Sequence, residues 1–177
     1  MLSFHASNFA INRENTGPLN VYIIDFGLCR SFRNSKGELK PPRDRAPFRG
    51  TTRYASLTTH NEKEQSRRDD LESWFYMLIE MISSAEFDLF VDRELPWTEL
   101  HHSERNEVKK MKENCRNHDG LQKLLKHCPK VEFRRILNYI DSLNYQSQPD
   151  YGFLKQLIQL AMKNNGIKAD EPYDWQD

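Results

Sequence analysis

The chain has 177 residues, 37% hydrophobic and 29% charged, which are the proportions of an ordinary globular protein with room for one core. Twenty-six basic residues balance twenty-six acidic ones, and this neutrality argues against a general nucleic-acid or membrane-surface role, which needs a basic excess. No apolar run approaches the roughly 18 residues of a membrane span, and the start, Met1-Leu2-Ser3-Phe4-His5, lacks the parts of a signal peptide. Three cysteines without regular spacing suit a reducing compartment rather than a disulfide framework. The expectation is an intracellular protein, cytoplasmic or nuclear.

Phe9-Ala10-Ile11 and Val21-Tyr22-Ile23-Ile24 are short apolar runs separated by the turn residues Asn15, Gly17 and Pro18. They predict a hairpin with a long loop, its second strand buried. Asp25-Phe26-Gly27 follows. An acid at a strand end can hold a metal ion, and the glycine is expected to let the backbone swing sharply away. Cys29 to Pro47 has no period and reads as a solvated loop. Ser66-Arg67-Arg68-Asp69 is a capping box in its acidic form. It opens a helix in which Leu71, Trp74, Phe75, Leu78, Ile79 and Ile82 recur at three- and four-residue steps. So wide an apolar face predicts a helix buried on most sides, the hub of the fold.

Ser83 to Glu94 reads as an acidic-aromatic connector and Leu95-Pro96-Trp97 as a packed corner. One helix is expected within Ser103 to Asn117, with Val108, Met111 and Cys115 on one side. A short one spans Leu121 to His127, and another Val131 to Leu143 with Phe133, Ile136, Leu137 and Ile140 inward. The last starts near Pro149, runs through Tyr151, Leu154, Leu157, Ile158 and Ala161, and stops at Gly166. Pro172-Tyr173-Asp174-Trp175 is expected to dock its aromatics on the body. The fold class is mostly α, a short β-hairpin followed by about five helices, with no internal repeat.

Taken in order, these segments resemble the C-terminal lobe of the casein kinase I superfamily, most closely its tau-tubulin kinase branch. Ser7-Asn8-Phe9-Ala10-Ile11 is similar to the end of that family's catalytic loop, and Asp25-Phe26-Gly27-Leu28 to its metal-binding turn. Gly37-Glu38-Leu39-Lys40-Pro41-Pro42-Arg43 and Phe48-Arg49-Gly50-Thr51-Thr52-Arg53-Tyr54-Ala55-Ser56 resemble the activation loop. Asp69-Asp70-Leu71-Glu72-Ser73, Leu95-Pro96-Trp97, Pro149-Asp150-Tyr151 and Tyr173-Asp174-Trp175 continue the series. The resemblance implies a serine/threonine protein kinase that transfers the γ-phosphate of ATP to protein serine or threonine. It implies that Asn8 and Asp25 bind Mg²⁺ with the nucleotide. Arg49, Gly50, Thr51 and Arg53 would dock substrate, while Phe26, Gly27 and Asp70 would be structural, Asp70 fixing the catalytic loop. It reads residues 1–177 as a partial kinase domain, with an activation segment at 25–60, a helical subdomain at 66–166 and a tail at 167–177.

The glycine-rich turn, strand lysine and helix glutamate that hold ATP in such kinases are missing from this sequence. Counting back from Asn8, Ser3 falls where the resemblance puts the catalytic aspartate and His5 where it puts a lysine. A serine cannot take a proton near neutral pH as a carboxylate does. The expectation is a C-lobe fragment without its N-terminal lobe, inactive as written, with Mg²⁺ and ATP belonging to the complete kinase and no cofactor on this chain alone. An incomplete gene model is the preferred explanation. The alternative is a truncated pseudokinase serving as a protein-binding or scaffold module, and a third reading is a decaying gene fragment. Partners would be protein substrates or a protein partner, without nucleic acid or membrane.

Plainer readings stand beside these. Arg49 and Arg53 can be solvated arginines on a loop, and Asp70 an acid favoured by its helix dipole. Lys109 and Lys110 read better as a solvated helix face than as an extension of a docking patch. Cys115, His118, His127 and Cys128 have no common zinc spacing. Ser31, Ser35, Thr51 and Thr52 are loop hydroxyls open to phosphorylation.

Overall fold

The expected hairpin is present in the computed structural model, which describes residues 6–11, 20–84 and 95–168. β1 (Phe9–Ile11) pairs antiparallel with β2 (Val21–Ile23), Phe9 opposite Ile23 and Ile11 opposite Val21. The Ile24 N–H donates to the Asn8 carbonyl at 2.8 Å and adds one more rung. β2 is not the buried strand that its apolar run suggests. Val21, Tyr22, Ile23 and Ile24 are all exposed. Apolar side chains mark a surface that favours cover, but they do not say what covers it.

The capping box forms as expected. The Ser66 N–H donates to the Asp69 carboxylate at 2.7 Å, and the Ser66 hydroxyl accepts from the Arg68 N–H at 3.3 Å. α2 (Arg67–Ser84) follows, with Phe75, Tyr76 and Ile79 almost wholly buried and Trp74, Leu78 and Ile82 packed at the margin of the core. It lies against both α1 (Leu57–His60) and α5 (Lys130–Ser142), the position of a hub. α1 is a single turn too short to leave a period in the sequence. Its cap is Ser56, whose hydroxyl oxygen accepts from the Thr59 N–H at 3.2 Å and whose O–H reaches Asp69 at 3.0 Å. The cap residues of α1 and α2 thus bind each other.

α3 (Arg105–Asn114) and α4 (His118–Leu124) lie where helices are expected, α4 starting three residues early. In α5, Phe133, Ile136, Leu137 and Ile140 turn inward as predicted. α6 (Tyr151–Asn164) packs on α5, and its cap is Asp150, which accepts from the Phe153 N–H at 2.9 Å. Leu154, Leu157 and Ala161 are buried, but Tyr151 is exposed, bordering a surface cleft with Arg67 and Asp70 instead of the core. The helix stops at Gly166, whose φ of 73° is left-handed. Gly166 N–H bonds the Lys163 carbonyl and Ile167 N–H the Met162 carbonyl, a Schellman ending.

Among the described residues a hairpin, a 3-10 turn at Ala6–Asn8 and six α-helices make the mostly α fold expected, α1 being the helix without a sequence period. The loop from Cys29 to Pro47 holds one isolated bridge, between Arg33 and Leu39, and is otherwise irregular. It is nonetheless tied down. Glu64 takes Arg30 at 3.2 Å and also Arg43, Arg45 pairs with Glu62 at 2.6 Å, and the Tyr145 hydroxyl donates to the Lys40 carbonyl at 2.9 Å. No described helix is long and apolar enough to cross a membrane. The connector at 85–94, the motif Pro172-Tyr173-Asp174-Trp175, and Ser3 and His5 lie outside the described residues.

Gly120 in α4 is set by close approach. A Cβ there would fall 2.1 Å from the Asn114 carbonyl oxygen at the end of α3. Gly120→Ala is expected to destabilise the protein by about 1–3 kcal/mol through overpacking. Urea unfolding should show a lower midpoint with an unchanged slope.

Candidate functional site

The turn after β2 is made by Asp25, not by Gly27. Asp25 has φ 67°, the left-handed region that short polar side chains tolerate. Its Oδ1 accepts from the Gly27 N–H at 2.9 Å, which stabilises that conformation locally. Glycine at 27 is favoured by space instead of by dihedral freedom, since a Cβ there would meet the same oxygen at 3.1 Å. The Cys29 N–H closes the turn on the Phe26 carbonyl at 2.9 Å, and the Phe26 ring is exposed.

Asn8 and Asp25 come to the same end of the hairpin. Asn8 faces Ile24 across the last rung, so the residue after that rung is Asp25. Their side chains offer amide and carboxylate oxygens, the hard donors that Mg²⁺ takes. The pair fits the ion implied by the resemblance. Asp70 lies in the first turn of α2, where the helix dipole favours an acid. With Phe26, Cys29 and Arg30 it borders a cleft of about 560 Å³ next to the Asp25 turn.

The expected docking residues divide in two. Gly50 turns the chain with φ 97°, and Arg49 and Thr51 beside it are exposed. Arg53 is bound from below, pairing at 2.9 Å with Glu80 of α2, which also accepts from the Tyr54 hydroxyl. The Trp97 indole N–H donates to the Arg53 carbonyl at 2.8 Å. Thr52 is buried with its hydroxyl on the His102 carbonyl at 3.3 Å, whereas the Ser31 hydroxyl reaches Arg33 in the loop. Lys109 pairs with Glu113 and Lys110 with Glu107 along α3, the solvated face that their positions suggested.

Two buried polar centres beneath this segment were not anticipated. Lys112 of α3 is wholly buried, its Nζ donating to the carbonyls of Thr52 at 2.9 Å and Ala55 at 2.6 Å, with His60 Nε2 at 3.2 Å. Burial pushes its ammonium down to about 7, with nearby Arg116 adding to that and Glu72 opposing it. Burial, then the Lys112 charge, holds His60 down to about 3. Glu72 is also wholly buried. One oxygen accepts from Arg116 at 2.9 Å, the Tyr76 hydroxyl at 2.8 Å and the Leu57 N–H at 3.2 Å, while the other oxygen has no hydrogen-bond partner. Burial opposes the Arg116 charge, but Tyr76, Glu72 and Asp141 outweigh it and keep the guanidinium protonated. One signal was legible. Lys112 is four residues after Val108 and three before Cys115, so the α3 period places it on the apolar face.

Among the described residues, no three His, Cys, Asp or Glu side chains gather to hold a metal. Cys115 and Cys128 are buried thiols, and His118 is exposed beside Asp119.

No protein-family model matches the chain. It is similar to a probable serine/threonine-protein kinase of Dictyostelium discoideum, 37% identical over 170 residues, which is 96% of this chain and 31% of that protein. It is 34% identical over 174 residues to the serine/threonine-protein kinase spe-6 of Caenorhabditis elegans, 97% of this chain and 43% of the other. Casein kinase I homolog 2 of Schizosaccharomyces pombe is 34% identical over 171 residues, 95% of this chain and 37% of that kinase. The chain thus spans less than half the length of these relatives.

Arg116→Ala would remove the ionic partner of buried Glu72 and leave it the Tyr76 hydroxyl and the Leu57 N–H alone. The expected loss is about 3–5 kcal/mol, most of it recovered in Glu72→Met combined with Arg116→Met, as read by denaturant unfolding. Lys112 generates a pH dependence. Its folded value of about 7 lies below the ordinary 10.5, so between these the unfolded chain binds more protons and stability rises with pH. The unfolding midpoint should climb from pH 7 to 8.5 in the wild type, and Lys112→Met should flatten that climb.

Proposed function

We propose that this chain, homologous along nearly its whole length to part of the serine/threonine-protein kinases, casein kinase I homologues among them, serves as the C-terminal lobe of a kinase of the tau-tubulin kinase branch. Its hairpin followed by helices is the architecture of such a lobe. The activity of the whole protein would be transfer of the ATP γ-phosphate to serine or threonine of a protein substrate. The observation that carries the reading is the backbone rung from Ile24 to Asn8, which sets Asn8 and the Asp25 turn at one end of the hairpin.

In this reading Asn8 and Asp25 hold Mg²⁺, which when bound offsets the charge of the nucleotide phosphates. The Asp25 carboxylate is held in place by its bond to the Gly27 N–H. Asp70, which lines the same cleft as Phe26, would anchor the catalytic loop. Arg49, Gly50 and Thr51 supply the open edge of the peptide-docking segment and Arg53 its fixed end, held by Glu80. Ser3 stands where the proton acceptor belongs and cannot do that work, so phosphotransfer is expected of the complete protein and not of these 177 residues.

One observation favours a second reading, a protein-binding module without catalysis. Ile11, Val21, Tyr22, Ile23, Ile24 and Phe26 expose neighbouring apolar side chains around the hairpin. A face of that kind implies a partner.

Mg·ATP-dependent labelling of a serine-containing peptide separates the two. The full gene product is expected to label it and the 177-residue chain to label nothing. Asp25→Ala in the full product should lower the rate by at least about a hundredfold. A full product that labels no peptide, or labels equally well with Asp25→Ala, leaves the binding module.

A further inference from the structure

We infer that Lys112 is a positioning residue, which clamps the backbone of Thr52–Ala55 from behind and so sets the shape of the peptide-docking segment; its functional consequence rests on the docking role proposed above. The carbonyls of Thr52 and Ala55 are three residues apart and both turn inward on one amine, at 2.9 and 2.6 Å. Between and around them, the Tyr54 and Ala55 N–H groups turn back to the Thr51 carbonyl at 3.2 and 3.0 Å. Trp97 takes the intervening Arg53 carbonyl at 2.8 Å. Three of the four carbonyls from Thr52 to Ala55 therefore accept hydrogen bonds from Lys112 and Trp97.

Lys112 is an unusual choice for such a place, and its surroundings say why it is tolerated. Among the described residues its Nζ contacts no carboxylate. The Tyr76 and Trp97 rings stand 4.9 and 5.1 Å from it, on α2 and in the corner after it, and present faces that favour a cation. The charged and titratable groups around it are His60 from α1, Glu72 and Tyr76 from α2, and Cys115 and Arg116 from its own stretch. As an ammonium, Lys112 donates to both carbonyls and to His60 Nε2. As a neutral amine it still donates to both carbonyls and offers its lone pair to a His60 N–H. The clamp on Thr52 and Ala55 survives either state. A side chain that only filled space here would be apolar, since burying an amine costs free energy unless its hydrogens are used.

The geometry separates two parts of the site. The metal-holding end at Asp25 is built on the hairpin, while the docking segment is held by α3 through Lys112. Loss of the Lys112 amine should therefore alter peptide binding and leave the nucleotide end alone.

Hydrogen exchange on the protein and on Lys112→Met tests the clamp, because methionine keeps the stem and removes the donors. The amides of Tyr54, Ala55 and Leu57 are expected to exchange at least about tenfold faster, with those of Ile136, Leu137 and Ile140 changed by less than about twofold. An unchanged segment, or an acceleration shared equally by α5, overturns the inference and leaves Lys112 a packing residue. Should Lys112→Met not fold, nitrogen NMR of the wild-type Lys112 amine decides. Through-bond couplings to the Thr52 and Ala55 carbonyls support the clamp, and a freely exchanging amine overturns it. In the full gene product, Lys112→Met should raise peptide KM about tenfold with kcat and the KM for ATP held. A segment released in the exchange experiment with peptide KM unmoved would reject the docking role and still sustain the clamp.

Discussion

A carboxylate removed from water must be met by donors, and in this protein the meeting place of the elements is the carboxylate of Glu72. One of its oxygens draws in the Leu57 N–H at the start of α1, the Tyr76 hydroxyl from the next turn of α2, and Arg116 from the stretch joining α3 to α4. Arg116 in turn reaches Asp141 of α5 at 3.1 Å, and Asp141 also takes Arg68 of α2. Hydrophobic burial along α2 and α5 supplies the drive to collapse. It is the charged centre that fixes how the parts are oriented, because a misplaced donor there leaves an ion unpaired in the core.

The same logic recurs along the irregular part of the chain. The stretch from Cys29 to Ser56 has few buried apolar side chains, so polar anchors give it a path. Glu64 collects Arg30 and Arg43, burial working against its carboxylate and the two guanidinium groups more than reversing that. Lys112 and Trp97 then donate to the carbonyls of Thr52, Arg53 and Ala55, and the Ser56 hydroxyl joins α1 to Asp69 in the first turn of α2. A loop on the surface in sequence terms is thus held by the body at its Thr52–Ser56 end.

The two ends of the candidate site are built differently. Asn8 and Asp25 are brought together by backbone pairing of a short exposed hairpin, with the Asp25 carboxylate held by its own turn. Arg49 to Arg53 rest on a buried helical frame. Beside the Asn8 and Asp25 end, the apolar side chains of β2 lie exposed.

Much was settled by the sequence itself. The helices α2 to α6 follow from apolar side chains at three- and four-residue steps, the α2 start from Ser66 and Asp69, the α6 stop from Gly166, and the hairpin from two apolar runs with turn residues between them. These are local effects of chain geometry, so a linear reading captures them. The order of the motifs likewise pointed to a kinase lobe before any coordinates. Other features depended on the tertiary structure. That β2 lies exposed, that Asp25 and not Gly27 makes the turn, that Arg53 is engaged by Glu80, and that Glu72 and Lys112 are wholly buried all depend on what comes to lie beside each residue. A charged side chain reads the same in sequence whether water or a set of donors surrounds it, and only the packing of distant segments decides which.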